Sequence, residues 1–194
     1  MSVIRAFIAV DLPKEIHDCL AYVSTQLKEQ IGDVPVRWVT PQNIHLTLKF
    51  LGEVSLNNID VLTEMLVTEA TPIAPMVISV GGLGAYPKMR SPRVIWVGVE
   101  APQELEALQK GIDTQAARIG YAPDQRPFSP HLTLGRVSRN ATPQEVRKIG
   151  DVLGAQKIGF LGVARIQAVH IYRSDLKQSG AVYTQLFSAS FNGS

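Results

Sequence analysis

The chain has 194 residues, of which 45% are hydrophobic and 19% charged, a balance typical of one globular domain or of two small fused lobes. Its formal net charge of +2 permits a phosphate-bearing partner without requiring one, because nucleic-acid-binding domains are often more basic. The only cysteine, Cys19, excludes an internal disulfide framework and a cysteine-based zinc site, and it favours a reducing cytoplasm. No window approaches the roughly 20 consecutive apolar residues of a membrane span, so no membrane association is expected.

The spacing of apolar residues predicts strands interspersed with helices, which favours an α+β fold. Helices are expected to begin at Pro13, at Asn57 or Asn58, at Pro102 and at Thr142. Strands are expected over residues 5–11, 36–39, 43–51, 76–80, 93–99, 165–172 and 183–190, and from His131 onward. Residues 81–92, rich in glycine and proline, are expected to connect two strands. Because no long linker or low-complexity segment occurs, residues 1–194 are expected to form a single domain.

One four-residue motif occurs twice, as His45-Leu46-Thr47-Leu48 and as His131-Leu132-Thr133-Leu134. Side chains of a strand alternate between its two faces, so each His is expected beside its Thr on one face. The leucines, together with Phe50 beyond the first motif, are expected on the opposite face. A strand of this kind presents two polar groups on a rigid support, as a preorganised site requires.

The duplication also predicts an architecture. The two histidines are 86 positions apart (131 − 45), and each motif lies in a segment that also supplies helices. This arrangement suggests two pseudo-symmetric lobes of antiparallel sheet with outer helices. The two His-x-Thr strands would then face each other across a central cleft.

Paired histidines suit a particular chemistry. An unperturbed imidazole has a pKa of about 6.5, so it can donate or accept a proton at neutral pH. In phosphodiester hydrolysis one imidazole would take a proton from the attacking water while the other protonates the departing oxygen. The hydroxyls of Thr47 and Thr133 can hold the non-bridging phosphate oxygens. This scheme requires no metal.

Other interpretations remain open beside this one. Neither motif carries the further ligands that a typical catalytic zinc needs, and no P-loop glycine motif occurs, so these two chemistries are disfavoured. A binding module that holds a nucleotide or an RNA end without turnover would use the same cleft. Alternatively, the duplicated strands would merely build a symmetric core, with both histidines silent to substitution.

Several segments, taken in chain order, resemble the 2H phosphoesterases. They are the opening run 5–13, the strand 93–99, the two His-x-Thr motifs and the run 128–136 around the second motif. The branch they resemble is the bacterial RNA 2′,3′-cyclic phosphodiesterases, also called 2′-5′ RNA ligases. The resemblance covers nearly the whole chain.

This resemblance implies an enzyme that opens a terminal 2′,3′-cyclic phosphate on RNA to a 2′-phosphate, without metal or nucleotide cofactor. By analogy His45 would be the proton donor and His131 the proton acceptor. An RNA 5′-hydroxyl in place of water would give a 2′-5′ linkage. The implied partners are RNA ends with a cyclic phosphate, tRNA fragments among them, and nothing in the sequence calls for more than a monomer. A small cyclic nucleotide or a 2′-5′ linked nucleotide would use the same residues.

Further residues are candidates for substrate contacts. Arg136 can grip phosphate with two hydrogen bonds, although strict alternation puts it on the face opposite His131 unless the strand bulges there. The aromatic residues Phe7, Trp96 and Tyr172 could stack a base or belong to the core. Arg5 and Lys49 could contact phosphate or lie at a solvated strand edge.

Three residues are expected to have no catalytic role. His17, on the first helix beside Asp18, is expected to face solvent. His170, on a late strand among apolar residues, is expected to be packed or partly buried. Cys19 has no acid, base or second thiol near it in sequence, so it is expected to act as a small hydrophobic residue.

Overall fold

The computed structural model describes residues 2–177 and 180–193, which form four α-helices and nine β-strands. The helices are α1 (Lys14–Ile31), α2 (Ile59–Ala70), α3 (Gln103–Arg118) and α4 (Pro143–Ala155). The strands are β1 (Val3–Val10), β2 (Val36–Trp38), β3 (Leu46–Ser55), β4 (Met76–Tyr86), β5 (Val94–Glu100), β6 (His131–Val137), β7 (Phe160–Ile166), β8 (Ala168–Lys177) and β9 (Gly180–Ser190). No helix of the described residues is long and apolar enough to cross a membrane.

The strands form two antiparallel sheets, one for each lobe. The first has the order β3-β1-β8-β9, and the second has the order β2-β6-β5-β4-β7. His45 directly precedes β3 of the first sheet, whereas His131 opens β6 of the second. One buried hydrophobic cluster includes residues of both sheets and of all four helices. The predicted α+β fold with two lobes is confirmed.

The helix boundaries follow from local sequence. At the start of α4, the Thr142 hydroxyl accepts the Glu145 N–H at 3.3 Å, and the Glu145 carboxylate accepts the Thr142 N–H at 2.7 Å, which forms a capping box. Helix α1 follows Pro13 and ends before Gly32, whose φ of 69° is a conformation that glycine adopts without strain. These helices begin where the sequence predicts.

Two strands differ from the prediction. Strand β4 continues to Tyr86, through residues that were expected to be a connection, because a bulge at Gly82 (φ 74°) absorbs one residue. The strand expected over residues 165–172 is divided between the end of β7 and β8, and residues 160–164 of β7 were not expected to be a strand. Strand β7 lies at the edge of its sheet, and its Phe160 and Val163 are exposed, so it lacks the alternation of a half-buried strand.

A β-bulge follows the first motif. Thr47 lies opposite Ala9 of β1, yet Lys49 lies opposite the adjacent residue Ile8, so β3 has one extra residue at this point. Leu48 and Lys49 are consequently both buried. The bulge reverses the alternation as far as Phe50, and a second register shift follows between Phe50 and Gly52.

The prediction that Phe50 lies on the same face as the leucines is therefore wrong. The structure leaves it 64% exposed, on the same face as His45 and Thr47. The prediction assumed strict alternation from Leu46 onward, whereas the bulge shifts the register by one residue.

The second motif is followed by a bulge at the equivalent place. Thr133 lies opposite Trp96 of β5, and Gly135 lies opposite the adjacent residue Ile95. Leu134 and Gly135 are both buried. The two motifs thus share their bulge as well as their sequence, which relates the lobes residue by residue.

Candidate active site

One cleft of about 640 Å³ is lined by residues from both sheets. Both motifs contribute the side chains that were predicted to share one face of each strand. These are His45 and Thr47 from the first lobe and His131 and Thr133 from the second. All four are partly buried, while the leucines between them are buried. The expectation that the two motifs face a central cleft is confirmed.

Both histidine rings are held by the same contact. Nδ1 of His45 lies 2.9 Å from the carbonyl oxygen of Asn43, and Nδ1 of His131 lies 2.7 Å from the carbonyl oxygen of Ser129. A carbonyl oxygen only accepts hydrogen bonds, so each Nδ1 must carry a hydrogen. The other nitrogen, Nε2, is therefore the atom at which each ring gives or takes a proton.

A tyrosine packs against each histidine ring at equivalent positions. The ring centroids of His45 and Tyr172 are 4.7 Å apart, and those of His131 and Tyr86 are 5.2 Å apart. Each tyrosine lies two strands away from its motif strand, on β8 and on β4. These contacts limit the rotation of both imidazoles, so the site is largely preorganised.

The two histidines differ in their electrostatic surroundings. Oδ1 of Asp11, just after β1, lies 3.5 Å from Nε2 of His45. The Tyr172 hydroxyl donates a 2.6 Å hydrogen bond to the same carboxylate. The other carboxylate oxygen lies 3.6 Å from Nε2 of His170. Among the described residues, no carboxylate comes comparably close to His131, beside which the Tyr86 hydroxyl bonds to Ser129 Oγ at 2.8 Å.

Burial lowers the pKa of His45, since its side chain is only 10% exposed. The Asn43 carbonyl and the negative charge of Asp11 act in the opposite direction, while the nearby His17 and His170 add to the lowering. Among the residues that the structure describes, Asp11 is thus the one carboxylate that favours the protonated form of His45.

Arg136 also lines the cleft, where it is exposed. The bulge at Leu134 and Gly135 turns it to the face of His131, as the sequence analysis required for a phosphate contact. Burial raises the pKa of Tyr183, whereas the charges of Arg136 and Arg5 oppose this shift. Both guanidinium groups therefore act on the same region of the cleft, which is suited to an anion.

The aromatic residues that could stack a base mostly pack against other side chains of the protein. Phe7 and Tyr172 are 5% and 6% exposed, and they stack on each other with ring centroids 5.4 Å apart. Trp96 lies across Gly84 and packs against Tyr86, with ring centroids 5.2 Å apart. Phe50 is the exposed aromatic of the cleft, and the sequence analysis missed it because of the bulge.

Two other residues have surroundings that the sequence did not predict. Lys49 does not lie at a solvated edge; it is fully buried and paired with the carboxylates of Asp113 and Asp124. The prediction that His17 faces solvent is wrong. Its Nδ1 lies 2.8 Å from the Pro41 carbonyl oxygen, because the turn after β2 folds back onto α1.

His17 also lines a smaller polar pocket of about 360 Å³ that adjoins His45. His170 is buried as expected, but it contacts Asp11. Cys19 is partly buried, and its Sγ lies 3.6 Å from the Leu161 carbonyl oxygen. Within residues 2–177 and 180–193, no group of three or more His, Cys, Asp or Glu side chains is arranged to hold a metal ion.

Comparison with known families gives two matches along the chain. The model of the LigT-like phosphoesterase family matches residues 10–96 and again residues 97–183. The first match contains His45 and the second contains His131, so each match includes one of the two motifs, and each range also includes strands of both sheets.

Curated relatives cover most of the chain. A protein of Methanothermobacter thermautotrophicus named RNA 2′,3′-cyclic phosphodiesterase is 33% identical over 94% of this chain and 96% of its own length. The Escherichia coli protein of that name is 35% identical over 71% of this chain and 74% of its own length. Among solved structures, E. coli LigT complexed with 3′-AMP has a TM-score of 0.78 at 27% identity, and it matches over 98% of this chain and 99% of its own.

Proposed function

We propose that this chain, which belongs to the family of LigT-like phosphoesterases, hydrolyses the terminal 2′,3′-cyclic phosphate of RNA to a 2′-phosphate. The observation that carries the proposal is the pair of Nδ1-anchored histidines that line one cleft, each beside a threonine. Relatives named RNA 2′,3′-cyclic phosphodiesterase support the choice of substrate.

In the proposed reaction His131 is the proton acceptor. Its Nε2 takes a proton from a water molecule, and the water oxygen attacks phosphorus from that side of the cleft. The bond between phosphorus and the 3′ oxygen then breaks on the opposite side. Nε2 of His45 gives its proton to that oxygen, which leaves a 3′-hydroxyl and a 2′-phosphate. The two imidazoles have then exchanged protonation states, and exchange with solvent resets them.

Thr47 and Thr133 stabilise the charge on the phosphate in this scheme. Their hydroxyls donate hydrogen bonds to the two non-bridging oxygens, which gain negative charge as water attacks. Arg136 supplies a cation on the same face and holds the phosphate by charge-assisted hydrogen bonds. The reaction as written requires neither a metal nor a nucleotide cofactor.

The asymmetry between the two sides supports the assignment of donor and acceptor. Asp11 lies 3.5 Å from Nε2 of His45 and favours its protonated form, which a proton donor needs. Beside His131, Tyr86 and Ser129 are uncharged, and Arg136 on the same face is a cation. A bound phosphate anion would favour the charged form of His45 further.

Related reactions and partners follow from the same geometry. If an RNA 5′-hydroxyl takes the place of water, the product is a 2′-5′ linkage, so we extend the proposal to reversible ligation. RNA ends with cyclic phosphates, including those of tRNA fragments, are the proposed substrates of a cytoplasmic monomer. We also propose that residues 1–194 act as a single domain, since one hydrophobic cluster joins both lobes.

The test is turnover, in EDTA, of an RNA oligonucleotide that ends in a 2′,3′-cyclic phosphate. Wild type is expected to produce a 2′-phosphate, and the His45→Ala and His131→Ala variants are expected to lose this activity while they still bind the oligonucleotide. An inactive wild type that binds nucleotide would favour a binding module. Activity on small cyclic nucleotides alone would show that the substrate is a small nucleotide and not RNA.

A further inference from the structure

Lys49 follows the first motif and is fully buried, which is unusual for a lysine. The bulge in β3 turns its side chain into the protein, beneath the cleft that Lys49 helps to line. There the ammonium group directly contacts the Asp113 carboxylate of α3. It also donates a 2.6 Å hydrogen bond to the Ala122 carbonyl oxygen and lies 3.3 Å from Oδ1 of Asp124.

The fold itself does not require a lysine at this position. The equivalent residue of the second lobe is Gly135, which lies at the corresponding bulge of β6 and is also buried. A buried ammonium is costly unless it is paired and hydrogen-bonded, so its presence needs a reason beyond the bulge. The three oxygens that surround Lys49 suggest that reason, because two of them belong to one loop.

This loop, residues 119–130, connects α3 to the second motif and forms one wall of the cleft. Residues 122–127 are all exposed, so apolar packing holds this part of the loop weakly, whereas Tyr121 and Phe128 pack against the hydrophobic cluster. Its polar anchors near Lys49 converge on one point, since the Asp124 N–H also donates to Oδ1 of Asp113 at 3.0 Å. Asp113 thus binds both Lys49 and the loop.

The far end of the loop reaches the second histidine. The Ser129 carbonyl oxygen accepts the hydrogen of His131 Nδ1 at 2.7 Å, and Ser129 Oγ bonds to the Tyr86 hydroxyl. A chain of contacts thus runs from Lys49, on the strand of the first motif, along the loop to the Ser129 carbonyl group that holds the ring of His131.

We propose that Lys49 is a positioning residue that clips the 119–130 loop to β3, and that it thereby fixes the cleft wall against which the RNA lies and the orientation of His131. Lys49 does not touch the reacting atoms in this role. The kinetic consequence rests on the proposed function, whereas the ordering of the loop does not.

The experiment combines hydrogen exchange with kinetics on three variants of the full chain. Lys49→Met removes the cation, and Asp124→Asn removes one loop carboxylate that is 44% exposed and so is not needed for the core. Lys110→Met, on the exposed side of α3, is the matched control. Amide exchange is measured for residues 119–130, and KM and kcat are measured with an oligonucleotide that ends in a 2′,3′-cyclic phosphate.

If Lys49 holds the loop in this way, the amides of residues 122–129 other than Pro123 and Pro127 should exchange about tenfold faster in both loop variants than in wild type, while the core strands keep their protection. KM for the oligonucleotide should rise by about tenfold, with a smaller fall in kcat, and Lys110→Met should leave both unchanged. If Lys49→Met does not fold, Asp124→Asn decides the outcome alone. Folded variants whose loop exchange and KM stay within about twofold of wild type would overturn the proposal.

If the wild type does not turn over RNA, the proposed function is wrong, but the amide-exchange test of the 119–130 loop remains valid. The two failures are therefore distinguishable.

Discussion

Phe50 and Arg136 occupy equivalent positions in the two lobes, each directly after the bulge that follows its motif. Both side chains consequently lie on the cleft face, although alternation from either histidine would place them on the opposite face. One lobe therefore presents an aromatic ring and the other a guanidinium group. The two motif strands carry the same residues at the histidine and threonine positions and different residues beyond them.

Arg136 is expected to hold the phosphate through charge-assisted hydrogen bonds. Arg136→Ala should lower kcat/KM for the cyclic RNA end by about 10- to 100-fold, since a hydrogen bond to a charged group contributes about 1.5–3 kcal/mol. Arg136→Lys should recover only part of this loss, because an ammonium cannot form the two parallel bonds of a guanidinium. Arg139→Ala, an exposed arginine just beyond β6, is the control. Equal kcat/KM values for Arg136→Ala and Arg139→Ala would show that Arg136 does not bind the phosphate.

The threonines are expected to act on the transition state more than on binding. Thr47→Val and Thr133→Val each remove one hydroxyl at nearly constant shape, and each should reduce kcat by about 10²-fold, as loss of one oxyanion donor does. Thr114→Val on α3 is the matched control, since its hydroxyl bonds only to the Lys110 carbonyl oxygen. A rise in KM with unchanged kcat would instead assign the hydroxyls to ground-state binding.

The pH dependence should reveal the influence of Asp11 on His45. Activity requires a protonated His45, so it falls as the pH rises through the pKa of this group. Burial already lowers that pKa, and Asp11 opposes the lowering. Asp11→Asn should therefore lower the pKa further and move the alkaline limb of the kcat/KM profile to lower pH.

Asp18→Asn serves as the control for this shift, because Asp18 is exposed and pairs with Lys14 on α1. An NMR titration of His45 would report the same change without turnover. An alkaline limb that stays in place in Asp11→Asn would show that the Asp11 charge does not govern the proton donor.

Gly84 is expected to be essential for the wall behind His131. A Cβ atom at this position would overlap the Trp96 ring, which packs near His131. Gly84→Ala should therefore displace the indole and destabilise the protein by about 1–3 kcal/mol, as overpacking does. Gly154→Ala near the end of α4 meets no atom within 4 Å and should be neutral or stabilising by up to about 1 kcal/mol. Chemical denaturation of both variants checks the contrast.

The core of the site could be predicted from the sequence because it depends on local alternation. His45 with Thr47, and His131 with Thr133, are two residues apart, so any extended strand puts each pair on one face. The repeated motif then made a shared cleft the simplest arrangement.

The remainder depends on register and strand order, which a single sequence does not reveal. Phe50 was misplaced because nothing in the run Leu48-Lys49 signals a bulge. Asp11 and His170 were missed as neighbours of His45 because they meet only through the order β3-β1-β8. Lys49 was expected either to contact phosphate or to lie at a solvated edge, because its partners, Asp113 and Asp124, are 64 and more residues away in the sequence.

The donor role of His45 and the acceptor role of His131, on opposite sides of phosphorus, can be separated with an RNA end whose cyclic phosphate carries sulfur in place of the 3′ oxygen. A thiol has a pKa of about 8.5, so a thiolate can leave without a proton. This substrate should restore turnover to His45→Ala, nearly to the wild-type rate on the same substrate, and should leave His131→Ala inactive. Equal loss of activity in both variants on the sulfur substrate would contradict these roles.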